Sequence, residues 1–270
     1  MIHNRTVSTS MLFATLLFVF LGCAAPPVNT SFPISMDNAQ ADLRRMSNHP
    51  APLQRPLLIV GGFLDPGVAA SVLRTQCESI TSDRRIASVA LCDCFSLEAC
   101  RAKIIAAVDE AFPTNDPNAT TEVDVIGFSL GGIGALYAAD SPAVGVRHLS
   151  IARLFTISSP LQGAEDVRRI PRLFAIQPEL TPGSPTLMAL YAKPPKYPVY
   201  SYIRLRDSTI GEGHASIPGS IAWWVPAPVF SSPHSGAFLD ARILDDIYRR
   251  LRDEPPIAMS PPSPLPTSTD

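Results

Sequence analysis

Short apolar runs alternate with segments of helical periodicity along most of the chain. Continuous runs of branched apolar residues are typical of strands covered on both faces. They predict strands at residues 57–60, 86–91, 122–126, 154–158 and 199–205. Apolar spacing of three and four residues predicts helices starting near Val68 and over residues 97–112, 130–139 and 238–251. Strands that alternate with helices indicate an α/β domain with a mostly parallel sheet and helices on both faces.

The two ends of the chain lack this alternation. Residues 23–56 are polar and interrupted by proline, which indicates a tether and an N-terminal extension. Residues 253–270 are rich in Pro, Ser and Thr without a periodic apolar face, so a disordered tail is predicted there. The remaining residues, 57–252, fit one domain.

The first 22 residues have the pattern of an export signal. The apolar run 11–21 is too short to span a membrane and suits the core of a signal peptide. It ends at Leu21-Gly22-Cys23, which resembles a bacterial lipoprotein signal in which Cys23 becomes the lipidated first residue. The alternative is an ordinary secretory signal cut nearby. Both alternatives predict a protein outside the cytoplasm, either anchored in the cell envelope or secreted.

Charge and cysteine content narrow the picture further. A net charge of -2 gives no basic surface for nucleic acid, so a nucleic-acid partner is not expected. Besides Cys23 the chain has four cysteines, Cys77, Cys92, Cys94 and Cys100, and an even number in an exported chain predicts two disulfides. The pairing is open, with Cys92–Cys94 the least favoured. A four-thiolate zinc site is the alternative, although the paired Cys-x-x-Cys spacing is missing.

The candidate chemistry begins at Gly127-Phe128-Ser129-Leu130-Gly131. This Gly-x-Ser-x-Gly segment follows a predicted strand and precedes a predicted helix. A sharp strand-to-helix turn would lift the Ser129 hydroxyl above the edge of the sheet, and small flanking residues keep the turn free of collisions. The arrangement is the nucleophile elbow of serine hydrolases, and the alternative is a structural turn.

A serine nucleophile needs a base and an acid, which follow it in the chain order Ser, Asp or Glu, His. Asp207 directly follows the strand predicted at 199–205, so its carboxylate is expected at the carboxyl edge of the sheet beside Ser129. The alternative is a loop aspartate that caps a turn. Three other acids on or next to the last helix are predicted to be solvated: Asp240, Asp245 and Asp246.

His234 is the predicted base because it lies in a loop directly before the last helix. His214 is the alternative, although it follows Asp207 so closely that it would occupy the same loop. The oxyanion of an acyl-transfer intermediate needs two donors. The backbone N–H groups of Leu130 and Phe63 are predicted to supply them, and the alternative for Gly61-Gly62-Phe63 is a plain glycine turn.

From residue 57 to residue 251 the chain resembles the α/β-hydrolase superfamily, and within it bacterial lipases and esterases. Four segments carry the resemblance: 57–63 the oxyanion strand, 125–132 the elbow, 156–164 a strand-end segment, and 180–190 the Leu-x-Pro-Gly-Ser segment of the cap. Two positions depart from it, since Gly61 and Leu161 stand where those enzymes often carry His. The resemblance implies a cap or lid at about residues 162–195. Its apolar residues would face an acyl chain or pack on the sheet, and Trp223-Trp224 would line a pocket or support the histidine loop.

Together these features predict a serine ester hydrolase, a lipase or carboxylesterase, that uses Ser129, His234 and Asp207 and needs no metal or organic cofactor. Its substrate would be an ester or lipid. An acyltransferase with the same three residues and a non-catalytic envelope lipoprotein with a hydrolase-like scaffold remain the alternatives.

Overall fold

The computed structural model describes residues 27–140, 145–169, 171–172 and 174–266. The predicted export signal (1–22) and Cys23 lie outside the described residues, as do Ile170 and Leu173 of the predicted cap. Within the described residues, no helix is long and apolar enough to cross a membrane.

Six parallel strands form one sheet in the order β2-β1-β3-β4-β5-β6. The strands are β1 (Leu57–Val60), β2 (Ile86–Val89), β3 (Val123–Phe128), β4 (Ile151–Ile157), β5 (Val199–Arg204) and β6 (Trp223–Val225). The described part of the chain also contains the helices α1 (Met36–Asn48), α2 (Val68–Ile80), α3 (Leu97–Ala111), α4 (Leu130–Asp140), α5 (Ile176–Glu179), α6 (Pro185–Leu190) and α7 (Ala241–Leu251). The predicted α/β class with helices on both faces of a parallel sheet is confirmed.

The alternating residues of the strands divide the core into two layers. Leu58 and Val60 pack with α3 and α4 on one face, whereas Leu57 and Ile59 pack with α1, α2 and α7 on the other. Because the sheet separates the layers, side chains in one layer cannot contact those in the other. All six strands run the same way, so the loops that follow them meet at one edge, the carboxyl edge of the sheet.

The two predicted disulfides are not formed in the structure. All four cysteines are free thiols: Cys77, Cys92, Cys94 and Cys100. Cys77 lies in the layer of α2 and α7, whereas Cys94 and Cys100 lie in the layer of α3. The sheet therefore separates Cys77 from Cys94 and Cys100, and no disulfide can join it to either of them. Burial raises the pKa of Cys77 to about 12 and also raises that of Cys100. The described residues contain no group of three or more His, Cys, Asp or Glu suited to a metal ion, which also argues against the zinc alternative.

Described segments on both sides of the domain, before residue 57 and after residue 252, pack on it, where a tether and a disordered tail were predicted. Helix α1 buries Met46 and Ala39, and it packs against α7. After α7, the indole nitrogen of Trp223 donates to Met259 O at 2.8 Å, and Ala258 is buried. The prediction of disorder is wrong for residues 253–266, because backbone carbonyls of this proline-rich segment satisfy indole donors and the segment needs no periodic face of its own.

The last helix, predicted at residues 238–251, begins three residues later in the structure, at Ala241. A 3₁₀ turn at Ala237–Leu239 precedes α7, Leu239 is 51% exposed, and Asp240 caps α7 by accepting from Arg242 N. The prediction that Asp240, Asp245 and Asp246 are solvated is wrong, since all three are buried. Each of them faces at least one arginine guanidinium within the domain. Burial, followed by the neighbouring Asp42 carboxylate of α1, raises the pKa of Asp245 to about 8.

Candidate active site

The strand β3 leads directly to Ser129 at the carboxyl edge of the sheet. All six residues of β3 are buried, and Ser129 has a φ of 52°, a left-handed conformation that non-glycine residues rarely adopt. Ser129 N donates to Ile157 O at 2.9 Å, which fixes the turn to the neighbouring strand β4. Strain of this kind is found at functional turns and persists only where the surroundings enforce it.

The glycines of the elbow are required by close packing of the backbone. A Cβ on Gly127 would lie 2.5 Å from Gly132 Cα, and one on Gly131 would lie 2.2 Å from Val60 O. Both distances are too short for any carbon substituent. The start of α4 therefore rests directly on β1, and this contact sets where Ser129 projects.

Asp207 stands just after β5 and is held by its own loop. The side chain is buried, and Oδ1 accepts hydrogen bonds from Thr209 N at 3.2 Å and Ile210 N at 3.3 Å. These bonds occupy one carboxylate oxygen and fix the rotamer. The other oxygen, Oδ2, is left to face the loop that carries His234.

His234 joins Asp207 to Ser129. Its Nδ1 lies 2.9 Å from Asp207 Oδ2, and its Nε2 lies 3.1 Å from Ser129 Oγ. Since an ionised carboxylate can only accept, Nδ1 is the donor in the first bond. In a neutral imidazole Nε2 is then unprotonated and accepts from the serine hydroxyl, which is the arrangement that general-base catalysis requires. The ring also contacts Phe128, with 5.4 Å between centroids.

The two segments predicted to carry the oxyanion donors lie next to Ser129. Leu130 is the first residue of α4, so its N–H is at the open end of a helix. On the other side, a Cβ on Gly62 would lie 3.2 Å from Ser129 Cβ, which places the loop after β1 against the nucleophile. Phe63 follows Gly62, and its ring packs edge-on against Phe95.

His214 takes no part in this chain of hydrogen bonds. It ends the 3₁₀ turn Glu212–His214, and its carbonyl accepts from Gln162 N at 3.0 Å. Its Nδ1 is buried without a hydrogen-bond partner among the described residues. The structure thus brings His234, and not the alternative His214, to Ser129 and Asp207.

The segment between β4 and β5 lies over the carboxyl edge of the sheet and touches both sides of the site. Glu165 N donates to Ile210 O in the Asp207 loop at 3.1 Å. Phe174 stacks on Phe95 with 4.3 Å between centroids, and Phe95 meets Phe63 of the predicted oxyanion loop. Its buried apolar residues, among them Ile176, Leu187 and Leu190, pack in the core layer of α3 and α4, whereas Met188 is exposed.

Sequence reasoning missed a buried arginine next to the site. Arg204, the last residue of β5, is 4% exposed, and its Nε donates to Asp240 Oδ2 at 2.8 Å. The signal in the sequence was the only charged residue of the predicted strand 199–205, because a charge in a buried strand must find a buried partner.

Comparisons with known proteins agree with this architecture. No family model and no curated protein matches the chain in sequence. The structure is similar to the product of gene lin2722 from Listeria innocua, at 13% identity and a TM-score of 0.50 over 73% of this chain and 93% of that chain. It is also similar to the mature lipase BlEst2 from Bacillus licheniformis, at 12% identity and a TM-score of 0.50 over 76% of this chain and 94% of that chain.

A third similar structure is phospholipase PlaB from Legionella pneumophila, at 10% identity and a TM-score of 0.51 over 75% of this chain and 59% of that chain. Identities this low establish a common fold and leave the reaction to be argued from the site. The parallel sheet, the strand-to-helix turn at Ser129 and these similarities lead to one conclusion: the chain has the α/β-hydrolase fold.

Proposed function

We propose that this protein is a serine ester hydrolase of the lipase or carboxylesterase type. The observation that supports it is the continuous hydrogen-bond chain from Asp207 through His234 to Ser129, with separations of 2.9 and 3.1 Å. Ser129 attacks the ester carbonyl while His234 Nε2 takes its proton. His234 then gives that proton to the leaving alcohol, and water resolves the acyl-enzyme by the same route in reverse.

The remaining groups stabilise charge in this reaction. Asp207 holds the imidazole in the tautomer that accepts from Ser129 and stabilises its protonated form. The N–H groups of Leu130 and Phe63 bind the oxyanion of the tetrahedral intermediate. The chemistry uses only groups of the protein and water.

The substrate class is supported by aromatic residues beside the site. Phe128 contacts the His234 ring, and Phe63 of the predicted oxyanion loop packs against Phe95, which is 38% exposed. Apolar and aromatic side chains that line a site favour apolar ligands. An ester with a hydrocarbon acyl group fits these side chains better than a small polar metabolite.

The test is a chain-length series of p-nitrophenyl esters on the wild type, on Ser129→Ala and on the control Ser79→Ala, whose side chain is exposed on α2. Loss of a serine nucleophile is expected to lower kcat by about a million-fold, whereas Ser79→Ala should match the wild type. Full activity in Ser129→Ala would overturn the mechanism. Transfer of the acyl group to an added alcohol, with little free acid formed, would assign the acyltransferase alternative.

Location is a separate proposal that rests on residues 1–23. We propose export with removal of residues 1–22 and lipidation of Cys23, which would anchor the enzyme in the cell envelope and bring it to a membrane. Mass spectrometry of the N-terminal peptide from cells tests it. A diacylglyceryl-modified Cys23 is the expected result, an unmodified new N-terminus would indicate plain secretion, and an N-terminus at Met1 would refute export.

A further inference from the structure

A permanent positive charge is buried between the two proposed catalytic residues that come latest in the chain. Arg204 ends β5 three positions before Asp207, and it is 4% exposed. A guanidinium stays charged at all working pH values, so its burial is unfavourable unless several acceptors surround it. The acceptors of its N–H groups therefore show which parts of the chain Arg204 connects.

The guanidinium of Arg204 reaches two different parts of the chain. Its Nε donates to Asp240 Oδ2 at 2.8 Å, at the N-terminus of α7. Its Nη1 donates to Ser231 Oγ and to Ser232 O, both at 3.3 Å. Ser231 and Ser232 open the turn that carries His234. One side chain thus connects the strand that ends at Asp207, the loop of His234 and the start of the last helix.

The backbone of the histidine loop is shaped around this guanidinium. Gly236 N donates to Ser232 O at 3.1 Å, and Ala237 N donates to His234 O at 3.0 Å, which closes a turn on either side of the histidine. A Cβ on Gly236 would lie 2.3 Å from Arg204 Nη1. Glycine at 236 therefore leaves the space that the guanidinium occupies.

The base of this loop is held by Arg242, whose Nη2 donates to Pro226 O at 2.8 Å, but its tip is exposed. Between β6 and His234 the chain runs over an exposed tip, in which Phe230 is fully exposed and has a φ of 63°. An imidazole carried on such a loop needs an anchor if it is to stay within hydrogen-bond reach of both Asp207 and Ser129.

We propose that Arg204 is a positioning residue that fixes the loop of His234 relative to Asp207, so that the imidazole bridges the acid and the nucleophile. The inference rests on the proposed function, because it concerns the placement of the proposed base. Arg204 touches neither substrate nor reacting atoms, and it acts only through the loop.

The protein is expected to fold without the Arg204 side chain. Asp240 also accepts from Arg242, through Nε at 2.9 Å and Nη2 at 2.7 Å, so its buried carboxylate keeps a cationic partner. Burial acts to raise the pKa of Asp240, but the hydrogen bonds and charge of Arg242 and the charge of Arg204 hold it below its ordinary value.

The test compares Arg204→Met with Arg153→Met, a matched control. Arg153 makes a similar part-buried pair with Asp124, at 2.6 Å between Nη2 and Oδ2, far from the histidine loop. Misplacement of a catalytic group by about 1 Å costs on the order of 100-fold in rate. Arg204→Met should therefore lower kcat for a p-nitrophenyl ester by about 100-fold with KM nearly unchanged. Arg153→Met should retain the wild-type kcat.

Two further variants separate positioning from general stability. Arg204→Lys keeps the charge beside Asp240 but lacks the planar fork, so its kcat should lie between wild type and Arg204→Met. Gly236→Ala keeps every charge but places a Cβ 2.3 Å from the guanidinium and 2.7 Å from Ser232 O, so it should lower kcat as Arg204→Met does. A folded Arg204→Met protein with wild-type kcat, or an equal loss in Arg153→Met, would overturn the proposal.

Hydrogen exchange provides a readout that needs no enzymatic activity. The amides of Gly236 and Ala237 should exchange faster in Arg204→Met than in the wild type, and they should be unchanged in Arg153→Met. Unchanged exchange in Arg204→Met would refute the anchoring role even if this variant shows the expected loss of kcat. Conversely, if the wild type lacks esterase activity but these amides still exchange faster in Arg204→Met than in the wild type, the anchor is supported and only the proposed function is refuted.

Discussion

Gly131→Ala adds one methyl group where helix α4 rests on strand β1. A Cβ at this position would lie 2.2 Å from Val60 O and 2.7 Å from Gly61 O. Both obstacles are backbone atoms, so no side chain can rotate away to make room. The helix and the strand must move apart, and Ser129 and Leu130 move with the helix.

The size of the effect follows from that distance. An ordinary contact begins at 3.4 Å, so α4 must shift by about 1 Å at its first turn. Overpacking of this kind costs about 1–3 kcal/mol in the free energy of unfolding, and the better helix propensity of Ala returns at most about 1 kcal/mol. A 1 Å displacement of the nucleophile is expected to lower kcat by about 100-fold, close to 3 kcal/mol in the activation barrier.

The assay pairs ester hydrolysis with urea unfolding, and Gly134→Ala serves as the control on the same helix. A Cβ on Gly134 would meet only side chains, at 3.4 and 3.5 Å, which are ordinary contacts. Gly134→Ala should therefore keep the wild-type kcat and be as stable as wild type or slightly more stable. Wild-type kcat in Gly131→Ala, or an equal loss of kcat in Gly134→Ala, would refute the claim that this contact sets the position of Ser129.

Three other predictions follow from the site and the core. Asp207→Asn should fold normally but favour the wrong imidazole tautomer, lowering kcat by about 10⁴-fold in the same ester assay; a loss under tenfold would contradict the orienting role. The pKa of Asp245 is raised to about 8 in the folded protein, so the folded state binds a proton that the unfolded state has already released. The free energy of unfolding, measured in urea, should therefore fall as the pH rises from about 5 to about 8. Asp245→Asn should flatten this slope, and an unchanged slope in the variant would contradict the prediction. Because burial raises the pKa values of Cys77 and Cys100, both should resist iodoacetamide at pH 8 until urea unfolds the domain, whereas modification of either thiol in folded protein would contradict that account.

Much of the fold could be predicted from the sequence because its strands are continuous apolar runs. The pattern gave β1 with the observed bounds and placed helices α2, α3 and α4 within a residue or two. It missed β6, a three-residue strand of which two are tryptophans, because so short a run has no period. It missed α1 because only Ala39 and Met46 of that helix are buried, and polar residues cover the rest.

The candidate site could be located from the sequence because its three residues follow a fixed order along the chain. Ser129, Asp207 and His234 each come at a strand end or before the last helix, which local pattern can locate. The supporting charges could not be located in this way. Asp240 and Arg204 are 36 positions apart, and the partner of a buried charge is fixed only when distant segments pack together.

The most direct test of the central claim is covalent labelling of folded protein by a fluorophosphonate, with the modified peptide identified by mass spectrometry. A serine nucleophile activated by His234 should give one adduct, on Ser129, that is lost in Ser129→Ala, in His234→Ala and in urea-unfolded wild type. Absence of label in folded wild type, or a label that persists in Ser129→Ala, would rule out this role of Ser129.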